Sequence, residues 1–556
     1  MVVSAKMTIQ HVPSKRRMSL YKLQNFTISR RQSIARISYG VLFAVLAVVM
    51  AIINPVQIIT DHVLEMKEGS FLFHMWEKPT YEVITEVRVF NYTNVQEYLD
   101  GLTDVLQLEE IGPFRYREYR TNENITVDKE RGVMTMRPKA TLKFIREGSI
   151  GDPNDVVLMM PNLALLAIST LAADQLSYLT NVGAYYSMKA LGSSLFRNLT
   201  AEEFFWGYYD PIVTIANKIL PGWIDFGKIG IMDRFYALEA GRIEVELRNT
   251  SKRYSINKWG GSEGLVEQGF TDMKTSTLCN RIKGSYEGLM VSPGITKETR
   301  LPVFKHQACR IYPFNFQKEI IGPYGFKQYR FAMDDLAFNK TSEYACHCEK
   351  NCLPDGFVDI SGCYYGFPIA LSKPHFLDAD PEQQAYFQGM KPDHYKHTSR
   401  VDLEPNIGVP VSFNTMIQVN VAVRMSYANP ITKPLNNRVM PLLWIEMSCK
   451  QPPPSVVTIL RLRLVIAPPL VITIEVVLFI IGIILGFQGC YRIWKPKYNL
   501  ISTTSVPEAR IRKTSYPLSP SDNKGYHDDD DLAKEAVSLL AIKEEDCEVP
   551  DLLIET

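Results

Sequence analysis

The sequence has almost no excess charge of either sign. Its 556 residues include 61 basic and 60 acidic side chains, a net charge of +1. That balance excludes a polyanion binder held by bulk charge, and no basic stripe is present for nucleic acid. A chain disordered throughout is excluded as well, because 46% of residues are hydrophobic and 22% are charged. There is no phosphate-cradling P-loop and no dinucleotide fingerprint. No internal repeat is visible. Cysteine is sparse, nine residues in all, and unevenly placed. At roughly 150 residues per domain, the length allows two to four domains or one large core with additions.

The apolar residues are concentrated near the two ends. Residues 37–60 carry no charge. As a helix rising about 1.5 Å per residue, they reach about 36 Å, enough to cross a hydrocarbon layer of about 30 Å. Basic residues precede this stretch (Arg30, Arg31 and Arg36 among them), and Asp61, Glu65 and Glu68 follow it. The positive-inside rule places residues 1–36 in the cytosol. Residues 464–489 carry one charge, Glu475, and form the second expected span. The expected chain is a hairpin with two cytosolic tails (1–36 and 490–556) and one extracellular or luminal domain, 61–460. A third apolar stretch, 156–173, is interrupted by Pro161-Asn162 and flanked on both sides by glycosylation motifs. It is expected as a buried helix or an exposed apolar docking face, not a span.

Five Asn-x-Ser/Thr sites fall within 61–460, at Asn91, Asn124, Asn198, Asn249 and Asn339. Seven cysteines also fall there, and six of them (Cys279, Cys309, Cys346, Cys348, Cys352 and Cys363) crowd together as an expected disulfide framework whose pairing the spacing leaves open. Cys346-His347-Cys348 with Cys352 lacks the usual zinc spacing. Cys449 is left over, either free or cross-linked to another chain. β-Rich stretches recur at 81–90, 114–119, 133–136, 243–247, 328–332 and 416–425. In the last, Gln418, Asn420 and Arg424 alternate with Ile417, Val419, Val421 and Val423. Between about 155 and 220 the character turns helical, with a capping box from Thr200 to Glu203.

Five motifs then resemble one family: Glu110-Ile-Gly-Pro-Phe-Arg-Tyr116, Ile256-Asn-Lys-Trp-Gly-Gly261, Cys309-Arg-Ile-Tyr-Pro-Phe314, Ser372-Lys-Pro-His-Phe-Leu-Asp-Ala-Asp-Pro381 and Asp402-Leu-Glu-Pro-Asn-Ile-Gly408. With the hairpin topology, the chain resembles the CD36 family over residues 37–490. This family comprises the class B scavenger receptors, lysosomal integral membrane protein 2 and the sensory neuron membrane proteins. The resemblance implies a large antiparallel β-barrel-like ectodomain with an internal tunnel and a helical apex. It implies the pairs Cys279–Cys346, Cys309–Cys363 and Cys348–Cys352. It also implies a receptor for lipids, lipoprotein particles or other macromolecules, taken up by endocytosis with lipid passing through the tunnel. The alternatives are an endosomal or lysosomal sorting receptor for a luminal protein bound at the apex, and a sensory accessory protein for hydrophobic semiochemicals. Members that bind anionic lipoproteins use apex lysines, whereas this chain has only Lys189 and Arg197 as basic residues between 161 and 200. The aromatic residues of the apex (Phe196, Phe204, Phe205, Trp206, Tyr208 and Tyr209) therefore predict apolar contact with the ligand.

The C-terminal tail carries two acidic dileucine patterns, Glu535 with Leu539-Leu540 and Glu548 with Leu552-Leu553. These predict clathrin-adaptor binding and residence at the plasma membrane and in endosomes or lysosomes. Cys490, at the cytosolic bilayer edge, is a candidate palmitoylation site. Homo-oligomerisation is left open. No cofactor, metal site or enzyme activity is expected. Gly260-Gly-Ser262-Glu-Gly264 matches a nucleophile-elbow pattern, with Asp334 and His375 following in order, but no parallel βαβ context supports it. His394 and His397 beside Asp393 read as a solvated polar loop.

Overall fold

The computed structural model describes residues 15–175, 178–219, 227–237, 241–340, 343–348, 352–424 and 429–495. A fourteen-stranded sheet dominates it. Eleven strands form its continuous path: β1 (Val83–Tyr92), β2 (Leu106–Asp128), β3 (Val133–Ile145), β4 (Ile243–Glu246), β5 (Ile256–Trp259), β6 (Leu301–Lys305), β7 (Arg310–Ile321), β8 (Lys327–Met333), β9 (Arg400–Glu404), β10 (Val409–Ala422) and β11 (Val439–Cys449). The spatial order is β6-β7-β8-β9-β10-β11-β1-β2-β3-β4-β5, with every pair antiparallel. The last strand of the path in chain order, β11, lies beside the first, β1, in register at Val87 opposite Ile445. Between the two ends of the path lies the segment 284–286. Ile256 N–H donates to the Ser285 carbonyl, while Tyr286 N–H donates to Pro302 and its carbonyl accepts from Phe304 N–H, each at 2.7–2.8 Å.

Alternation explains most strands, because successive side chains face opposite sides. In β10, however, both faces are buried: Gln418 and Asn420 are as enclosed as Val419. Their polar groups are satisfied internally. Gln418 donates to Asn420 Oδ1 at 2.8 Å, Asn420 donates to the Ala370 carbonyl and Ser372 Oγ, and His375 N–H donates to Gln418 Oε1 at 2.6 Å. The strand Ile369–Ser372, laid on β10, makes this possible.

Residues 156–173 are neither one helix nor an exposed docking face. Val157–Pro161 forms a strand paired with Phe196–Thr200, and the helix Leu163–Gln175 starts after Asn162. Pro161 favours extended backbone before the turn, and the Asn162 carboxamide accepts from Leu165 N–H at 3.2 Å, capping the helix. Leu163 to Ala167 are buried. The Thr200–Glu203 capping box forms at the start of Ala201–Trp206.

Two helices, Arg30–Ile53 and Pro454–Trp494, are long and apolar enough to cross a membrane. They pack together through small residues. A Cβ added to Gly482 would lie 2.8 Å from the Gly40 carbonyl, and one on Gly489 would lie 2.9 Å from that of Ser33. Close backbone approach of this kind is how helices associate where no hydrophobic gradient drives them. The first helix breaks at Asn54 (φ 49°) and resumes at Pro55–Val63. The second starts ten residues before 464 and passes through Pro468-Pro469 uninterrupted. A π-helical turn, Leu462–Ile466, directly precedes these prolines and relieves the clash of their rings with carbonyls four residues back. At this level Arg463 donates to Gln57 Oε1 at 2.7 Å. Leu72 and Trp76 on one side of the chain, and Val456 and Leu460 on the other, enter a core shared with Met134, Ile243 and Ile256. That core anchors both helices to the sheet.

Candidate functional site

Three adjoining cavities are lined by residues of the sheet and the segments packed on it. The first is lined by Val83, Leu289, Val291, Phe314, Leu403 and Phe413, among others. The third is lined by Tyr312, Met333, Leu371, Met416, Ile417 and Ile445. Both are mainly apolar. The second is polar, with Glu118, Arg120, Glu123, Arg137, Lys139 and Glu287 on its wall. Lys305 and Met447 line all three. Strand alternation puts them there. Leu301, Val303 and Lys305 share one face of β6, Glu118 and Arg120 share one face of β2, and Ile445 and Met447 share one face of β11.

The charges at this junction are largely paired. Arg120 forms an ion pair with Glu287, and Lys139 pairs with Glu123 at 3.5 Å. Tyr236 donates to Glu118 at 3.5 Å. Burial pulls the Arg120 guanidinium below its usual range, against the attraction of Glu118. Burial likewise lowers the Lys305 ammonium; Glu118 opposes this and Arg120 adds to it. His306, stacked on Trp259 at 4.9 Å, is driven down to about 4 by burial. None of these residues stood out as a site in the sequence. The available signal was a lysine at the third alternate position of Leu301-Pro-Val-Phe-Lys305, where periodicity puts it beside two apolar residues.

The motifs that carry the family resemblance build the frame around these cavities. Glu110 accepts from His375 Nε2 at 2.7 Å and from the Trp444 indole at 3.0 Å. Burial raises its carboxyl, but these bonds outweigh burial and its affinity for protons falls below normal. His375 Nδ1 accepts from Lys391 N–H, and its ring stacks on His397 at 4.5 Å. Lys373 reaches Asp378 at 2.6 Å. Asp402 takes a two-pronged bond from Arg330 at 2.7 and 2.8 Å. Glu404 accepts from Asn406 and Ile407 N–H, holding the turn at Gly408.

Several expectations need correction. His397 is buried, not solvated: its Nδ1 accepts from Asp393 N–H, and burial, with His375 next in effect, lowers it to about 4. His394 lies 3.3 Å from Asp378 and near Asp335, an arrangement that resembles a cation site. The Lys373 ammonium already supplies the positive charge there, reaching both carboxylates. The apex aromatics are not a contact surface as a group. Phe196, Phe204, Phe205 and Tyr208 are buried, Trp206 is half-buried and only Tyr209 is well exposed. Cys449 is buried and donates to the Gln451 carbonyl, so it is not placed to cross-link another chain. Ser262 turns back on Gly264, accepting its N–H and donating to its carbonyl at 2.7 Å. Asp334 is engaged by Arg300, Tyr344 and Asn315, and His375 by Glu110, so no triad assembles.

Disulfides join Cys279 to Cys346, Cys309 to Cys363 and Cys348 to Cys352. Asn124, Asn198 and Asn249 are exposed, and Asn91 and Asn339 are half-buried. Cys490 is exposed on its helix. The sorting residues Glu535, Leu539, Leu540, Glu548, Leu552 and Leu553 lie outside the described residues.

A family model described as the CD36 family matches residues 38–493. The chain belongs to the CD36 family. Among curated relatives, scavenger receptor class B member 1 of Bos taurus is 27% identical over 492 residues, covering 84% of this chain and 93% of its own. The Rattus norvegicus protein of that name is 30% identical over 423 residues, covering 74% of this chain and 79% of its own. Lysosome membrane protein 2 of Mus musculus is 30% identical over 420 residues, covering 74% and 84%.

Proposed function

We propose that this chain is a CD36-family receptor, not an enzyme, which takes a lipid from a carrier into linked interior cavities and internalises its ligand. The observation that carries this reading is the run of three adjoining cavities, two of them mainly apolar, that share Met447 and Lys305. We read them as one conduit, and the sheet as a barrel closed by the 284–286 segment; the hydrogen bonds from that segment to both end strands support this. The physical need is large. At about 0.8 kcal/mol per CH₂, a sixteen-carbon chain exposed to water costs over 10 kcal/mol, a barrier that an enclosed path removes.

The topology follows the same reading: both tails cytosolic, 61–460 extracellular or luminal, the five sequons glycosylated and Cys490 palmitoylated. A second reading, an endosomal or lysosomal sorting receptor for a luminal protein, is favoured by the two acidic dileucine patterns and by the likeness to lysosome membrane protein 2. Both readings require adaptor capture of the tail. The test is uptake of a fluorescent lipid by cells expressing the full chain. Met447→Trp abolishes lipid transfer while surface expression persists. Replacing Leu539, Leu540, Leu552 and Leu553 by alanine retains the protein at the surface. Unchanged transfer by Met447→Trp would reject the conduit, and unchanged distribution of the tail variant would reject adaptor sorting.

A further inference from the structure

We propose that Lys305 forms a headgroup site within the conduit, binding the anionic head of an amphiphilic lipid whose chain occupies the apolar cavities. This inference rests on the lipid-conduit reading and specifies its ligand class: an acyl chain ending in a carboxylate or a phosphate.

Four observations converge on it. Lys305 lies on the cavity-facing side of β6, with Leu301 and Val303, and borders all three cavities. Its ammonium has no hydrogen bond and no ion pair within 4 Å among the described residues, and the side chain is half-buried. Two of the neighbouring acids are already ion-paired, Glu287 with Arg120 and Glu123 with Lys139, while Glu118 accepts from the Tyr236 hydroxyl and attracts Lys305 without contacting it. Around the polar cavity, the four cations Arg120, Arg137, Lys139 and Lys305 therefore face the three carboxylates Glu118, Glu123 and Glu287. His306 adds no charge at neutral pH, because burial holds it near 4.

A half-buried cation with no ion-pair partner in contact gains from an anion placed directly against it. The surplus is one positive charge, which a single headgroup matches. The geometry supplies the remainder of the ligand. Lys305 stands where the polar cavity meets two apolar ones, so a head at Nζ directs its chain along Val303 and Phe314 or toward Tyr312 and Met416. A small free anion would satisfy the charge but leave the apolar cavities unfilled. An uncharged ester would fill them but leave the ammonium unpaired.

The experiment uses the purified full chain in detergent, with displacement of a fluorescent fatty acid as readout. Oleate, methyl oleate and acetate compete against wild type, Lys305→Met and Lys305→Arg. Methionine matches lysine in length without its charge. Wild type should bind oleate at least about tenfold more tightly than methyl oleate, the scale of a charge-assisted hydrogen bond. Lys305→Met should lose that preference and retain methyl oleate binding, which also reports an intact fold. Lys305→Arg should keep the preference. Equal binding of oleate and its ester by wild type, or an unchanged preference in Lys305→Met, would overturn the headgroup site and leave the conduit standing. Competition by acetate as strong as by oleate would overturn the amphiphile in favour of a small-anion site. Failure of wild type to bind any of the lipids would reject the conduit itself.

Discussion

Acidification should destabilise the ectodomain through His306, which is half-buried, and His397, which is buried. His306 and His397 are each held near 4, against about 6.5 for an exposed histidine. A histidine whose folded affinity for protons is depressed binds more protons when unfolded. Stability therefore rises with pH between about 4 and 6.5, and is lost as pH falls through that window. At pH 5 a shift of this size is worth about 2 kcal/mol per ring. Residual solvent contact at His306 trims this, so the pair together contribute about 2–4 kcal/mol. With an unfolding entropy of about 2.1 cal/mol/K per residue, a domain of about 400 residues loses about 1 °C for each 0.8 kcal/mol. The expected cost is about 3–5 °C between pH 7 and pH 5, beyond the contribution of the carboxylates. His306→Gln with His397→Asn should remove it, since asparagine keeps an acceptor for Asp393 N–H. The two sites have different neighbours, Trp259 for one and His375 with Trp444 for the other, so single variants should add. Calorimetry of the full chain in detergent at both pH values is the assay. The same pH dependence of Tm in wild type and double variant would refute the reasoning.

Two further outcomes follow from the fold. Replacing Cys309 and Cys363, or Cys279 and Cys346, by paired serines should cost about 4 kcal/mol each on chain-entropy grounds, because the sequence separations are 54 and 67. The Cys348–Cys352 pair, separated by 4, should cost about 2 kcal/mol, and an inverted order of Tm losses would contradict the assignment. Gly482→Leu should weaken pairing of the two apolar helices by about 1–3 kcal/mol, because its Cβ meets the Gly40 carbonyl. Gly486→Ala should be silent, because its Cβ meets nothing within 4 Å. Equal thermal shifts for the two variants would show that the helices do not pack this way.

Elements with a local signature were legible in the sequence. The two apolar helices follow from long uncharged runs, β1 and β10 from alternation, and the start of Ala201–Trp206 from Thr200 and Glu203. What was hidden depends on partners distant in the chain. Alternation separates Gln418 and Asn420 from the valines but does not show that Ile369–Ser372 covers them and supplies hydrogen bonds to Asn420. The aromatic run from Phe196 to Tyr209 read as surface because composition cannot tell which rings turn inward. Phe205 packs against Phe114 at 5.3 Å, and Phe196 against Tyr92 at the same distance. His397 read as solvated because its neighbour in space, His375, lies 22 positions earlier. The Lys305 junction needs β2, β6 and β11 together, and no short stretch contains it.

The central claim is that the interior holds and passes lipid. Its most direct test is mass spectrometry of lipids extracted from the purified full chain, glycosylated and with its disulfides formed, beside Met447→Trp. The account predicts stoichiometric lipid in the wild type and its loss in the variant, whose indole fills the junction of all three cavities. No lipid in either form, or equal lipid in both, would contradict it.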